Sequence, residues 1–137
     1  MGSDTIKVGL VGTGYIGLVH LEMLRRLEGV EVVAVADANG GLARAAAGKF
    51  GVPRVYESAE ALIADREVEV VHDCAPNNVH YAINAAAIRA GKDVLSEKPL
   101  ALDSRESGEL LALAGERGTL TAIDFCYRYY PVVQEAA

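Results

Sequence analysis

The chain has 137 residues, enough for one domain that buries about two-thirds of its unfolded surface. Hydrophobic residues make up 51% and charged residues 23%, as in ordinary globular proteins, and no stretch reaches the ~20 apolar residues of a membrane span. A net charge of −6 and a pI near 5.0 argue against a nucleic-acid footprint, which needs a basic face.

Ile6 to Val11 is an apolar run, read as the first strand. It enters Gly12-Thr13-Gly14-Tyr15-Ile16-Gly17, and a helix is predicted from Tyr15 to Leu27, closed by Gly29. Ile16, His20, Met23, Leu24 and Leu27 fall on one helical stripe. Valine-rich Val30 to Ala36 is the second strand and ends at Asp37. Asn39 can cap an alanine-rich helix reaching Phe50, with Gly51 at its stop; Pro53 to Tyr56 reads as a short edge strand, and Ser58 caps a brief helix to about Ala64. Val68 to Cys74 is the fourth strand; Asn77 or Asn78 can cap the next helix, which stops at Gly91. Asp93 to Ser96 is the fifth strand. Asp103 and Glu106 resemble a capping box for a helix ending near Arg117-Gly118, and Thr119 to Ile123 is the sixth strand. Tyr129 to Ala137 enters a further helix. The pattern predicts an α/β fold: a doubly wound, six-stranded parallel sheet with helices on both faces.

The glycine turn has the form and setting of a dinucleotide-binding fingerprint. Gly12 permits the tight turn off the strand, Gly14 lets a pyrophosphate approach the backbone, and Gly17 lets the helix pack close to the strand. The free N–H groups at the helix start, around Thr13, Tyr15 and Ile16, then hold the phosphate charge. Asp37 follows Gly17 by twenty residues, and its carboxylate can accept hydrogen bonds from both hydroxyls of the adenosine ribose. The same charge repels a 2′-phosphate, and no Arg or Lys stands between Asp37 and Arg44 to neutralise one, which favours NAD over NADP.

Three more segments follow the later strands: Ala75-Pro76-Asn77-Asn78-Val79-His80, Glu97-Lys98-Pro99, and Tyr127-Arg128-Tyr129-Tyr130-Pro131. With the glycine turn they resemble the glucose–fructose oxidoreductase, inositol dehydrogenase and rhizopine-catabolism (Gfo/Idh/MocA) family over essentially the whole chain. The resemblance implies an NAD-dependent oxidoreductase that moves a hydride between nicotinamide and a sugar, polyol or related hydroxyl compound. It implies that Lys98 points toward nicotinamide and substrate and aids proton transfer, with Glu97 near the nicotinamide end and a Lys98–Pro99 bond that is cis in this family. Ala75, Pro76 and Asn77 are then the loop beside the cofactor's ribose and pyrophosphate. His80 matches the family histidine, with a helix-face histidine bonded to a nearby loop as the alternative. Tyr127 and Arg128 are candidate substrate contacts; the alternatives are an anchor of the interdomain helix for Arg128 and apolar surface covered by a further domain for Tyr127.

On this reading residues 1–125 are the cofactor domain and 126–137 begin a connection to a substrate domain that the chain lacks, so the chain binds NAD but turns over little. The full-length protein is expected to be a homo-oligomer. A non-catalytic nucleotide sensor on the same scaffold is the alternative. No metal site is expected. Cys74 and Cys126 lie far apart in apolar runs and read as buried thiols, and Met1 to Thr5 lacks the basic and apolar parts of a signal peptide; both suit a reducing cytoplasm. His72 and Asp73 interrupt the fourth strand; adjacent strand residues face opposite ways, so each needs its own partner, and a structural His–Asp contact between neighbouring elements is expected rather than a catalytic dyad. Asp124 adds a carboxylate near the cleft mouth with no assigned role.

Overall fold

Valine-rich runs of four to seven residues, each followed by a helix, can bury both faces only inside a parallel sheet. The computed structural model, which describes residues 5–136, has that arrangement. The strands are β1 (Ile6–Val11), β2 (Val30–Ala36), β3 (Arg54–Tyr56), β4 (Val70–Asp73), β5 (Asp93–Ser96) and β6 (Thr121–Ile123). The helices are α1 (Tyr15–Leu24), α2 (Gly40–Phe50), α3 (Ala59–Ile63), α4 (His80–Arg89), α5 (Ser104–Arg117) and α6 (Pro131–Glu135). All strand pairs are parallel, in the order β3-β2-β1-β4-β5-β6.

Alternation along the strands divides the core. Leu10, Val35 and Cys74 join Leu21 of α1 and Ala46 and Ala47 of α2 on one face. Val11, Ala36, Val71 and Val94 meet Leu62 of α3, Ile83 and Ile88 of α4 and Leu110 of α5 on the other. The expected caps are in place: the Asn39 side chain accepts from the Gly41 and Leu42 amides, Ser58 from Ala61 and Asp103 from Glu106. Gly51 and Gly118 end α2 and α5 in the left-handed conformation.

Several expectations are corrected. α1 ends at Leu24, three residues early, and buries Gly17, His20, Leu21 and Leu24, while Met23 and Leu27 are exposed. Gly17 sits so close to the Gly12 carbonyl that it fixes which side of the helix meets the sheet, and the buried stripe runs through Gly17 instead of Ile16. No side chain caps α4; Asn77 and Asn78 belong to a short 3₁₀ turn, Asn77–Val79, that leads into it. Tyr130 precedes Pro131 in extended conformation, so the final helix, predicted from Tyr129, begins only at Pro131 as α6, and Tyr129 ends a 3₁₀ turn at Cys126–Tyr129. Cys74 is buried but Cys126 is exposed, because it follows the sheet edge instead of lying inside the sheet. The Met1 to Asp4 segment, read as lacking a leader, lies outside the described residues, as does Ala137. No helix among the described residues is long and apolar enough to cross a membrane.

Candidate active site

Because every strand is parallel, the segments after β1, β2, β4, β5 and β6 emerge along one rim. β1 and β4 are neighbours, yet β1 leads to α1 on one face and β4 to α4 on the other, so a crevice opens between their ends.

The three turn glycines meet different surroundings. Gly12 has φ +90°, and a Cβ there would lie 2.5 Å from the Cys74 carbonyl. A Cβ on Gly17 would lie 1.9 Å from the Gly12 carbonyl oxygen. Gly14 has nothing within 4 Å of where a Cβ would project. Two glycines therefore let β1, β4 and α1 come together, and the third leaves bare backbone facing open space. Gly14 is also the residue that precedes α1, and among the described residues no side chain caps that helix start, a surface suited to anions. Tyr15 is exposed beside it.

Asp37 is held by three donors. Its Oδ2 accepts from the Thr13 amide at 2.8 Å and the Thr13 hydroxyl at 2.9 Å; its Oδ1 accepts from the Asn39 amide at 2.8 Å. Thr13 is itself buried, so its side chain orients Asp37. The carboxylate thus sits at the end of β2, anchored to the glycine turn.

A cleft of about 550 Å³ runs along the rim. Of the sequence candidates it gathers Ile16, Ala75, Asn77, His80, Glu97, Lys98, Tyr127 and Arg128. Gly12, Thr13, Gly14, Tyr15, Gly17, Asp37 and Pro76 are not among its walls. Asp124, Phe125, Cys126 and Val133 also line it. Sequence reasoning gave these four no site role; for Asp124 the signal was present, a carboxylate directly after a predicted strand.

Lys98 is exposed in this cleft, and the Lys98–Pro99 bond is cis. The loop is set from below: the Ser96 hydroxyl donates to the Glu97 carbonyl, and the Lys98 amide donates to Glu97 Oε2 at 3.1 Å. His80 is fully buried, with Nδ1 2.6 Å from the Pro99 carbonyl oxygen and Nε2 2.7 Å from that of Ala75. Of its two readings, the loop-bonded histidine is the one that the geometry describes.

Beneath Lys98 lies a group that no local motif announces. His20 of α1 places Nε2 3.2 Å from Glu97 Oε1 and 3.3 Å from Asp124 Oδ2. Its Nδ1 faces His72 Nδ1 at 3.2 Å. Ligating atoms of His20, Glu97 and Asp124 all lie within 4.8 Å of one another, close enough for a cation to bridge, but the imidazole already pairs with both carboxylates. Burial, with His20 next to it, lowers the His72 pKa to about 4. Asp73 faces the other side of the sheet. Its Oδ1 accepts from the Ala75 amide, Oδ2 has no hydrogen-bond partner among the described residues, and burial raises its pKa to about 6 despite the nearby His80. The expected split of His72 and Asp73 to opposite faces holds, but His72 pairs with a histidine of α1 instead of an aspartate.

Residues 6–125 match the Gfo/Idh/MocA oxidoreductase family, described by its NAD-binding Rossmann fold. The chain belongs to that family. Among Gfo/Idh/MocA proteins, inositol 2-dehydrogenase of Salmonella paratyphi B is 39% identical over 128 residues, which are 91% of this chain and 38% of that enzyme. The crystal structure of GenD2 from gentamicin A biosynthesis, in complex with NAD, superposes with a TM-score of 0.89 at 34% identity over 93% of this chain and 36% of GenD2. Biliverdin reductase from Synechocystis, crystallised with biliverdin and NADP+, gives a TM-score of 0.89 at 35% identity over 95% of this chain and 41% of that protein. The chain spans 33% to 38% of the length of the first curated relatives it matches. Family membership bears out the doubly wound fold and the nicotinamide-dinucleotide class of cofactor that the glycine turn announced.

Proposed function

We propose that this chain is the dinucleotide-binding part of an NAD-dependent dehydrogenase that acts on a sugar, polyol or related hydroxyl compound. The observation that carries the reading is the bare backbone at Gly14, at the start of α1 and joined through Thr13 to the carboxylate of Asp37. A pyrophosphate fits where any side chain at position 14 would project, and the amides of the α1 start are free to face it. Asp37 is oriented by three donors that leave a lone pair on Oδ1 for a ribose hydroxyl, and its charge opposes a 2′-phosphate. NAD, when bound, supplies the hydride acceptor. Lys98, presented in the cleft, hydrogen-bonds the reacting oxygen and holds or receives a proton at Nζ. Ala75 and Asn77 form the cleft wall on the β4 side, and Tyr127 and Arg128 the wall after β6, where a hydroxyl-rich substrate would lie.

Fluorescence titration of the chain with NADH and NADPH tests this. NADH binds more tightly than NADPH, and Asp37→Ala weakens NADH about tenfold while barely changing NADPH, the loss expected for hydrogen bonds to a charged acceptor. Absence of NADH binding, or equal affinity for both before the substitution, overturns the reading.

A further inference from the structure

We propose that His20 is a positioning residue for Lys98, acting through Glu97 by joining two carboxylates at the floor of the cleft. The inference rests on the reading of Lys98 as the cleft's chemical group.

The sheet forces the two acids together. Glu97 is the first residue after β5, and its amide donates to the Asp73 carbonyl at 2.8 Å. Asp124 is the first residue after β6, and its amide donates to the Ser96 carbonyl at 2.9 Å. Both backbones are thus extensions of the ladder, and neither can withdraw without breaking it. Glu97 is buried and Asp124 half-buried, and among the described residues neither pairs with a lysine or arginine. Like charges so placed repel strongly unless a donor lies between them.

His20 is the side chain that reaches both. It comes from the buried face of α1, about one helical turn beyond Gly17, whose missing Cβ lets the helix lie low enough to bring the ring in. His72 backs the ring from β4 through the Nδ1 contact and fixes its plane, the two rings standing at 84°. With Nε2 hydrogen-bonded to Glu97 Oε1 and standing 3.3 Å from Asp124 Oδ2, the ring leaves the second oxygen of Glu97 to accept from the Lys98 amide. The path from His20 to Lys98 is therefore one carboxylate long. Without the ring, Glu97 swings away from Asp124 and the amide of Lys98 loses its acceptor.

The test uses the whole chain with its lysines ¹³C-methylated, the Lys98 signal being assigned by its absence in Lys98→Arg. His20→Leu moves the Lys98 signal and weakens NADH about tenfold. Adding Asp124→Asn removes the repulsion, returning the signal to the wild-type position and NADH affinity to within about twofold. A packing role for His20 would not be rescued this way, so a double variant as displaced as His20→Leu overturns the proposal, as does a Lys98 signal unmoved in His20→Leu. Should His20→Leu fail to fold, His20→Gln carries the comparison: its amide keeps a donor toward both acids and leaves the Lys98 signal near wild type, and a displaced signal overturns the proposal. Failure of the wild-type chain to bind NADH would remove the dehydrogenase reading, while the Lys98 signals would still report on His20.

Discussion

His80 and Pro99 are joined by a 2.6 Å contact between the ring Nδ1 and the carbonyl oxygen, and the same ring reaches the Ala75 carbonyl at 2.7 Å through Nε2. One buried side chain thereby ties the loop after β4 to the loop that carries Lys98. Both partners are acceptors, so the ring serves both only by donating from both nitrogens. His80→Leu, which fills the space without donating, is expected to cost about 2–4 kcal/mol in urea unfolding, and His80→Gln, able to keep one bond, about half of that. A cost below ~1 kcal/mol for His80→Leu would show that the two loops do not depend on this ring.

The turn glycines give a second, contrasting prediction. Gly17→Ala places a methyl 1.9 Å from the Gly12 carbonyl, so α1 must lift off the sheet, and the variant should lose at least about 3 kcal/mol of stability. A Cβ at position 14 meets nothing within 4 Å, and Gly14 has φ −69° and ψ −165°, which other residues adopt readily, so Gly14→Val is accommodated at its Cβ. Its melting temperature should stay near wild type while NADH binding is lost. Thermal unfolding and NADH fluorescence on the same two samples separate the effects.

His72 and Asp73 pull stability in opposite directions with pH. The pKa of His72 is lowered from 6.5 to about 4, so the unfolded chain takes up a proton first and stability falls as pH drops through that window. The pKa of Asp73 is raised from 3.8 to about 6, so the folded chain holds its proton longer and stability falls as pH rises between those values. In the native protein the slopes oppose each other between about pH 4 and 6. Asp73→Asn leaves the histidine alone, and stability should rise from pH 4 to 6.5. His72→Gln leaves the aspartate alone, and stability should fall from pH 4 to 6. Urea midpoints across that range, with changes on the order of 1–2 kcal/mol, check both signs.

Much of the fold was legible in the sequence because its signals are local. Asn39, Ser58 and Asp103 cap the helices they precede, and the glycine turn, Asp37 and the strand cores required only neighbouring residues to be recognised. What escaped depends on distance along the chain. The joining of His20, Glu97 and Asp124 draws on α1 and on the segments after β5 and β6, which only the sheet order brings together. The buried side of α1 was misread because the position of Gly17 against Gly12, not apolar spacing, decides it. Cys126 looked buried from its apolar neighbours, yet Phe125, Tyr127 and Tyr129 beside it are exposed as well.

Gly9 shows how far a small vacancy can reach. A Cβ there would lie 2.7 Å from Leu62 Cδ2 and 3.0 Å from Val68 Cγ1, so the bare position 9 leaves the room into which Leu62 of the five-residue helix α3 packs against β1. Just before that helix is β3, whose last residue, Tyr56, receives the Asp37 amide on its carbonyl and anchors its hydroxyl on Asp65. A methyl at position 9 would therefore act as a wedge driven from the far side of the sheet. Its first symptom would be a slackened join between β3 and the end of β2 at Asp37, in a protein that still looked intact to circular dichroism.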